Sequence, residues 1–361
     1  MKLNILHLQT ELNITCGISK TIFTLIDKTK NSHNYFIATF GGDGFERFID
    51  IGIQPIILKN KRENLFNFPV IIYKVYKICK KNQIDIIHAH HRYFDLVAFF
   101  VSKLIKIKTI TSVHSFVKGR KRLSYKSEIL IACSYAIKNH LINYFKVKEN
   151  KINVIYNFVD KSEIRISINK MELKRELLIP EEKTIIGFIG RFDNEEKGID
   201  VLIKALNEIS KVYSNIFLLL VGSGKDEKII YNELSKSNFD YKILGAQLNI
   251  YDYYNLMDIF VLPSRIEPLG IVILEAGIMS KVVIGCNTGG IREIIQDNKD
   301  GFLFEPGNHL DLKNTIIRTL TEYESATKMG INLRQKVLAN YSVEHGILSY
   351  ERAYKNLIIH E

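Results

Sequence analysis

The sequence predicts two doubly wound α/β domains, each a parallel sheet with helices on both faces. Three observations predict it: the length, the regular alternation of short β-branched runs with helical stretches, and a break in the pattern near the middle. The chain has 361 residues, and at roughly 100–200 residues per domain that length suits two. Apolar residues make up 46% and charged residues 25%, an ordinary globular balance that can bury a core without staples.

In the first half, strands are expected at 3–8, 34–40, 53–58, 84–89, 108–114, 128–133 and 152–156, with helices between them. Strands that alternate with helices need crossover connections, and these make a parallel sheet. One helix should cover 68–81, where Val70, Tyr73, Val75, Tyr76 and Ile78 alternate with Lys74, Lys77, Lys80 and Lys81. Around 160–183 the text turns polar and Pro180 follows a short helical piece, so the boundary is placed there: 1–165 and 166–341. The second half restarts with the buried strand TIIGFIGR and continues strand, helix, strand to about residue 304. The remainder, 308–361, reads as helices, and 342–361 is expected to pack back toward the first domain.

Composition excludes several classes. Cys16, Cys79, Cys133 and Cys286 form no CxxC pair, which argues against a zinc site or a disulfide framework. No apolar run approaches the roughly 20 residues of a membrane span, and the N-terminus MKLNILHLQT reads as a buried strand rather than a signal peptide. Net charge is +11 and unevenly placed. Residues 1–165 hold 27 Lys+Arg against 12 Asp+Glu, whereas 166–361 hold 23 against 27. On charge alone the basic half could meet nucleic acid, anionic lipid or a phosphorylated acceptor; of these, nucleic acid is not the partner expected.

Residues 258–305 carry the most specific text. Glu267 and Glu275 are separated by seven residues, with Pro268, Gly270, Ile271, Val272, Ala276 and Gly277 around them. A helix beginning near Gly270 would point backbone N–H groups at whatever lies beyond strand 259–264, an anion site. Glu275, a turn and a half into that helix, could accept both hydroxyls of a ribose. Taken alone, it would read as a partner of the helix dipole. Upstream, Arg191 ends one strand and Lys197-Gly198 opens the next helix, both within reach of a diphosphate. Gly222 and Gly224 make a tight turn after a strand, and Gly289-Gly290 make another.

This segment resembles the donor-binding region of glycosyltransferase family 4, retaining enzymes of the GT-B architecture. The segments IGRFDNEEKGIDVLIKAL, LLLVGSG, VIYNFVD, ACSYAIKNHL and TSVHSF also match in kind. The resemblance covers nearly the whole chain and is stronger in the second half. It implies two Rossmann-like domains facing a cleft, and transfer of a hexose or N-acetylhexosamine from a nucleotide-sugar, a UDP-sugar, to a glycan or lipid-linked acceptor. Arg191, Lys197, Glu267 and His114 would be catalytic. Gly17, Gly222, Gly224, Pro268, Gly270, Ile271, Val272, Glu275 and Gly290 would bind the donor.

His88, His90 and His91 cluster in IDIIHAHHRY and are expected to line the acceptor cleft. Arg120, Lys121 and Arg122 would lie on the acceptor or membrane side. The first loop reads TCGISK, so Cys16 replaces one of the family's two glycines, and Phe158 replaces its hinge glycine. No Asp-x-Asp triplet occurs, so no metal and no other cofactor is expected. The location expected is cytoplasmic, with peripheral attachment to the inner face of the plasma membrane motivated by the basic half. A dehydrogenase would need GxGxxG with an acid about 20 residues on, and no window supplies it. A sugar-nucleotide epimerase of the same fold and a non-catalytic nucleotide-sugar binder are the alternatives.

Overall fold

A computed structural model of the chain describes residues 2–59 and 67–359. The described residues form two units: residues 1–157 with 343–361, and residues 158–342. The division falls at 157/158 rather than 165/166. Val159 donates its N–H to the Tyr341 carbonyl and bridges to Ser342, which binds this stretch to the second unit.

The first unit runs β1 (Asn4–Leu8), α1 (Gly17–Thr29), β2 (Asn34–Thr39), α2 (Glu46–Asp50), β3 (Ile56–Ile57), α3 (Asn67–Lys81) and β4 (Ile86–Ala89). It continues α4 (Arg92–Ile105), β5 (Lys108–Val113), β6 (Ile129–Ala132), α5 (Tyr135–Asn143) and β7 (Ile152–Val154). The sheet order is β3-β2-β1-β4-β5-β6-β7, all parallel. One face buries Leu6, Leu8, Ile87 and Ala89 against Ile71, Val75, Phe94, Val97 and Val101 of α3 and α4. Burying each such large side chain contributes on the order of 1.5–3 kcal/mol. Helix starts are capped: the Ser134 hydroxyl accepts from Ile137 N–H at 3.1 Å and the His91 ring from Tyr93 N–H at 3.1 Å.

The second unit runs α6 (Lys170–Glu176), β8 (Thr184–Ile189), α7 (Asn194–Lys197), α8 (Ile199–Ile209), β9 (Ile216–Val221), α9 (Glu227–Leu234), β10 (Asp240–Leu244) and α10 (Ile250–Leu256). It ends β11 (Ile259–Leu262), α11 (Ile271–Ile278), β12 (Val282–Cys286), α12 (Ile291–Ile294), β13 (Phe302–Phe304), α13 (His309–Thr321) and α14 (Tyr323–Asn340). Its order is β10-β9-β8-β11-β12-β13. Strands β8, β9 and β11 are apolar nearly throughout because helices cover both faces of a parallel sheet. The last helix, α15 (Val343–Ile359), belongs to the first unit. There its Tyr354 hydroxyl lies 2.8 Å from His88 Nδ1.

In each sheet the strand order reverses once, between β1 and β4 and between β8 and β11. Ligands in open α/β sheets bind beyond the carboxyl ends of the strands at such reversals. The predicted site residues follow strands at or next to these reversals: Gly17 after β1, His90 after β4, His114 after β5, Arg191 after β8, Gly222 after β9, Glu267 after β11 and Gly290 after β12. Among the described residues, no helix is long and apolar enough to cross a membrane.

Candidate functional site

In the second unit, the chain leaving β8 turns at Arg191 and enters α7, whose first turn is capped by Asp193: its carboxylate accepts from Glu196 N–H at 3.2 Å. The turn stops at Gly198, in the left-handed region at φ 64°, where a Cβ would sit 2.3 Å from the Pro263 carbonyl oxygen. Only glycine fits both the angle and the space. This close approach brings α7 onto the loop after β11. Arg265 fastens it there with a bidentate ion pair to Asp200, at 2.7 and 2.8 Å, and a bond to the Asn194 carbonyl.

That clamp sets Lys197 Nζ 2.7 Å from Glu267 Oε2. The Ser264 hydroxyl donates to the same oxygen at 3.1 Å. Glu267 is only 6% exposed, so the pair is largely withdrawn from water. An ammonium has three donors, so Lys197 can hold Glu267 and still offer protons to an incoming oxygen. Gly290 N–H donates to the Glu267 carbonyl at 3.0 Å, and a Cβ on Gly289 would meet that carbonyl oxygen at 2.0 Å. The two glycine-containing loops therefore pack backbone to backbone.

Gly270, at φ 97°, is the N-cap of α11, and Ile271 and Val272 are its first helical residues. Glu275 lies on this helix, buried, and accepts from the Tyr254 hydroxyl at 3.2 Å. Burial first, and the Glu275 charge second, push the Tyr254 phenol well above its ordinary range. Tyr254 thus stays a donor. Arg191 ion-pairs with Glu196 and is well exposed. Lys225, which follows Gly224, reaches Asp193 at 3.2 Å. A Cβ on Gly222 would lie 2.0 Å from the Gly190 oxygen and one on Gly224 2.3 Å from the Phe192 oxygen. Gly222 and Gly224 therefore pack β9 against the exit of β8.

The structure thus brings Arg191, Lys197, Gly222, Gly224, Glu267, Pro268, Gly270, Ile271, Val272, Glu275 and Gly290 to one end of one sheet. Sequence reading missed Asp193, Asp200, Arg265, Lys225 and Tyr254. Arg265 and Asp200 are 65 positions apart, and no local pattern links them.

In the first unit, an open pocket of about 220 Å³ is lined by Thr10, Asn13, Cys16, His90, Arg92 and His114, among others. Cys16 is the N-cap of α1 and Gly17 its first residue. Phe158 has no positive φ and its ring is buried, so the position of the family's hinge glycine is held here by ordinary backbone. Of the three clustered histidines, His88 differs from expectation. His88 lines no cleft: it is fully buried, with Nδ1 2.8 Å from the Tyr354 hydroxyl and Nε2 2.8 Å from the Ser112 hydroxyl. His90 does line the pocket but is 5% exposed and bonded to other histidines. His91 caps α4 and also lines the pocket. Strand alternation turns residues 88 and 90 to one face, and that face is covered by α15.

The basic segment is anchored from beneath. Buried Asp95 accepts from Lys126 N–H at 2.7 Å, Ser127 N–H at 3.1 Å and the Thr111 hydroxyl at 2.9 Å. Above it, Arg120, Lys121 and Arg122 are exposed, Lys121 lies 4.1 Å from the Tyr144 ring centroid, and Leu123 is 54% exposed.

Two parallel sheets, each with a strand-order reversal, and the family matches together define a glycosyltransferase of the GT-B architecture. The chain belongs to glycosyltransferase family 4: residues 16–163 match the family described by that name, and residues 169–336 match glycosyl transferases group 1. It is 30% identical over 362 residues to an uncharacterized glycosyltransferase of Methanocaldococcus jannaschii, covering 94% of this chain and 95% of the relative. It is 25% identical to the N-acetyl-alpha-D-glucosaminyl L-malate synthase of Bacillus anthracis, over 82% of each chain. It is also 25% identical to the UDP-Gal:alpha-D-GlcNAc-diphosphoundecaprenol alpha-1,3-galactosyltransferase of Escherichia coli, over 80% of each. Among solved structures, Anabaena HepE in complex with UDP and glucose superposes with a TM-score of 0.88 at 19% identity, covering 98% of this chain and 100% of that one.

Proposed function

We propose that this protein transfers a hexose or N-acetylhexosamine from a UDP-sugar to a glycan or lipid-linked acceptor, with retention at the anomeric carbon and without a metal ion. The observation that carries the reading is the Lys197–Glu267 pair, held at 2.7 Å beside the start of α11. A diphosphate leaving group gains negative charge as the sugar bond breaks, and a preorganised cation with helix N–H groups stabilises that charge. Arg191 supplies a second cation once it exchanges Glu196 for phosphate. Glu275, with Tyr254 behind it, accepts the ribose hydroxyls. The leaving phosphate oxygen takes the proton of the attacking acceptor hydroxyl on the same face, so configuration is kept and the protein supplies position and charge.

Hydrolysis of a panel of nucleotide-sugars tests the donor. One UDP-hexose or UDP-N-acetylhexosamine should be cleaved well above the others, releasing the α-sugar first. Preference for a different nucleotide, or release of the β-anomer, would overturn the reading. Epimerised donor appearing without acceptor would point to an epimerase.

Donor turnover is expected to survive EDTA, because Lys197 and Arg191 supply the positive charge. Loss on chelation with recovery on adding manganese would refute metal independence. Glu275→Ala is expected to weaken UDP binding by about 1.5–3 kcal/mol, the worth of hydrogen bonds to a charged group. Unchanged UDP affinity by calorimetry would remove Glu275 from the ribose.

The exposed Arg120, Lys121, Arg122 and Leu123 support docking of the first unit on an anionic membrane that carries the acceptor. Basic side chains at such a surface contribute about 1 kcal/mol each. Changing the three basic residues to Ser should therefore cut co-sedimentation with phosphatidylserine vesicles by roughly a hundred-fold in affinity. Equal recovery with neutral vesicles, or none with anionic ones, would favour a soluble acceptor.

A further inference from the structure

Strand β1 places His7 beside His88 of β4, its register partner, and His90 follows two residues on. His7 Nδ1 lies 2.9 Å from His90 Nε2, and His90 Nδ1 lies 3.5 Å from His114 Nε2. The ring planes differ by 13° and 17°, so the three imidazoles form a row. It runs from the buried His7 to His114 at the pocket wall. His88 is beside the row rather than in it, since two hydroxyls take its nitrogens. The ligand atoms of His7, His88 and His90 lie within 4.8 Å of one another. Of those three rings only His7 Nε2 has no partner among the described residues, so the trio is spent on hydrogen bonds rather than set for a metal.

A neutral imidazole has one N–H and one bare nitrogen, so two bonds in a row force all three rings to point the same way. Direction is decided at the ends. At the pocket end, His114 Nδ1 and Asn157 Oδ1 are both buried and neither has a hydrogen-bond partner among the described residues, and Asn157 is the side chain that raises the His114 pKa against the effect of burial. An oxygen there asks for a donor. At the deep end, His7 Nε2 meets nothing, and a buried bare acceptor is less costly than a buried N–H without a partner. Both ends select the form with the proton on Nδ1 of every ring.

We infer that His7 and His90 are positioning residues that hold His114 as a neutral Nδ1–H donor, so that His114 offers the substrate a hydrogen bond and is neither its base nor a fixed cation. His114 Nδ1–H, unpartnered among the described residues, would donate to an oxygen of the substrate, a phosphate or a hydroxyl. The role in transfer rests on the function proposed above, whereas the protonation state does not. Burial supports it, holding His7 down to about 3, His114 to about 4 and His90 well below the ordinary range. The titratable groups around the row are His88, Tyr35 beside His7, and Tyr350 and Tyr354 of α15 around His88. Glu11, His91, Arg92 and Tyr125 line the pocket.

Long-range proton–nitrogen NMR of the 15N-labelled full-length protein tests this without donor or acceptor. The His114 signals are identified by their loss in His114→Asn. They should show a protonated Nδ1 and a bare Nε2, unchanged from pH 5.5 to 8. In His90→Leu, His114 should show mixed tautomers while burial still keeps it neutral over that range. A charged His114 at pH 6, or a bare Nδ1, in the wild-type protein would overturn the proposal, whether or not His90→Leu folds. In the transferase assay, the kcat profile should lack a limb from His114 across that range. A tautomer as expected with no transferase activity would sink the function and leave the histidine row standing.

Discussion

Lys197→Ala is expected to lower kcat by about 10²–10³, the effect of removing one preorganised donor from a developing oxyanion, with KM changing much less. The split follows because the charge that Lys197 meets grows in the transition state. The same change strips Glu267 of its ion pair, and Glu267 is nearly buried. Breaking such a pair from one side costs about 3–5 kcal/mol of stability, so a simple loss of activity would be ambiguous. Lys197→Ala combined with Glu267→Gln separates the two effects. A neutral amide in that site needs no cation, so much of the stability should return while kcat stays low. Recovery of both together would mean that Lys197 acts only as a structural partner of Glu267. Wild-type kcat in folded Lys197→Ala would remove it from the reaction altogether.

Acid should weaken the first unit well before the second. His7 is held to about 3 and His114 to about 4 by burial; His88 and His90 also lie well below the usual value, through burial first and then the charge of neighbouring histidines. Above about pH 6.5 these rings are neutral folded or unfolded, and their contribution to stability is fully present. As pH falls below 6.5, the unfolded chain binds protons that the folded unit cannot. Stability is then lost down to the folded values, near 4 for His114 and near 3 for His7. The slope is about 1.4 kcal/mol per pH unit for each ring, so His7 and His114 alone remove roughly 4 kcal/mol by pH 5. That is a large part of a domain's usual 5–15 kcal/mol.

The second unit contains a single histidine, His309, and serves as an internal control. Calorimetric scans from pH 7.5 to 5.0 should show one transition moving sharply down while the other moves little. His7→Phe should make the mobile transition less steep by about one proton. Parallel movement of both transitions would show that buried histidines do not govern acid sensitivity.

The regular elements were legible because their causes are local. A short β-branched run such as Ile185–Ile189, alternating with helical stretches, suits an inner strand of a parallel sheet, buried on both faces. The α8 stretch repeats apolar residues at helical spacing and buries Ile199, Leu202, Ile203, Leu206 and Ile209. Expected strands ran long by a residue or two at their ends, and 53–58 shortened to Ile56–Ile57. An edge strand pairs on one side only, so the hydrogen bonds that define its length are few.

By itself the sequence determined the two-sheet architecture and the charge asymmetry, and it singled out residues that gather at one end of the second sheet, because these sit in short segments whose spacing fixes their place on a strand end or a helix start. Only the tertiary structure decided what each of those residues touches. Lys197 and Glu267 are 70 positions apart and meet because Gly198 lets α7 lie against Pro263 while Arg265 clamps Asp200. The histidines show the limit most clearly. In IDIIHAHHRY they read as a group facing a cleft, yet parallel pairing of β1 with β4 adds His7 and α15 covers His88. A strand's alternation tells which residues share a face. Which face meets water and which meets a helix depends on chain packed from more than 260 residues away.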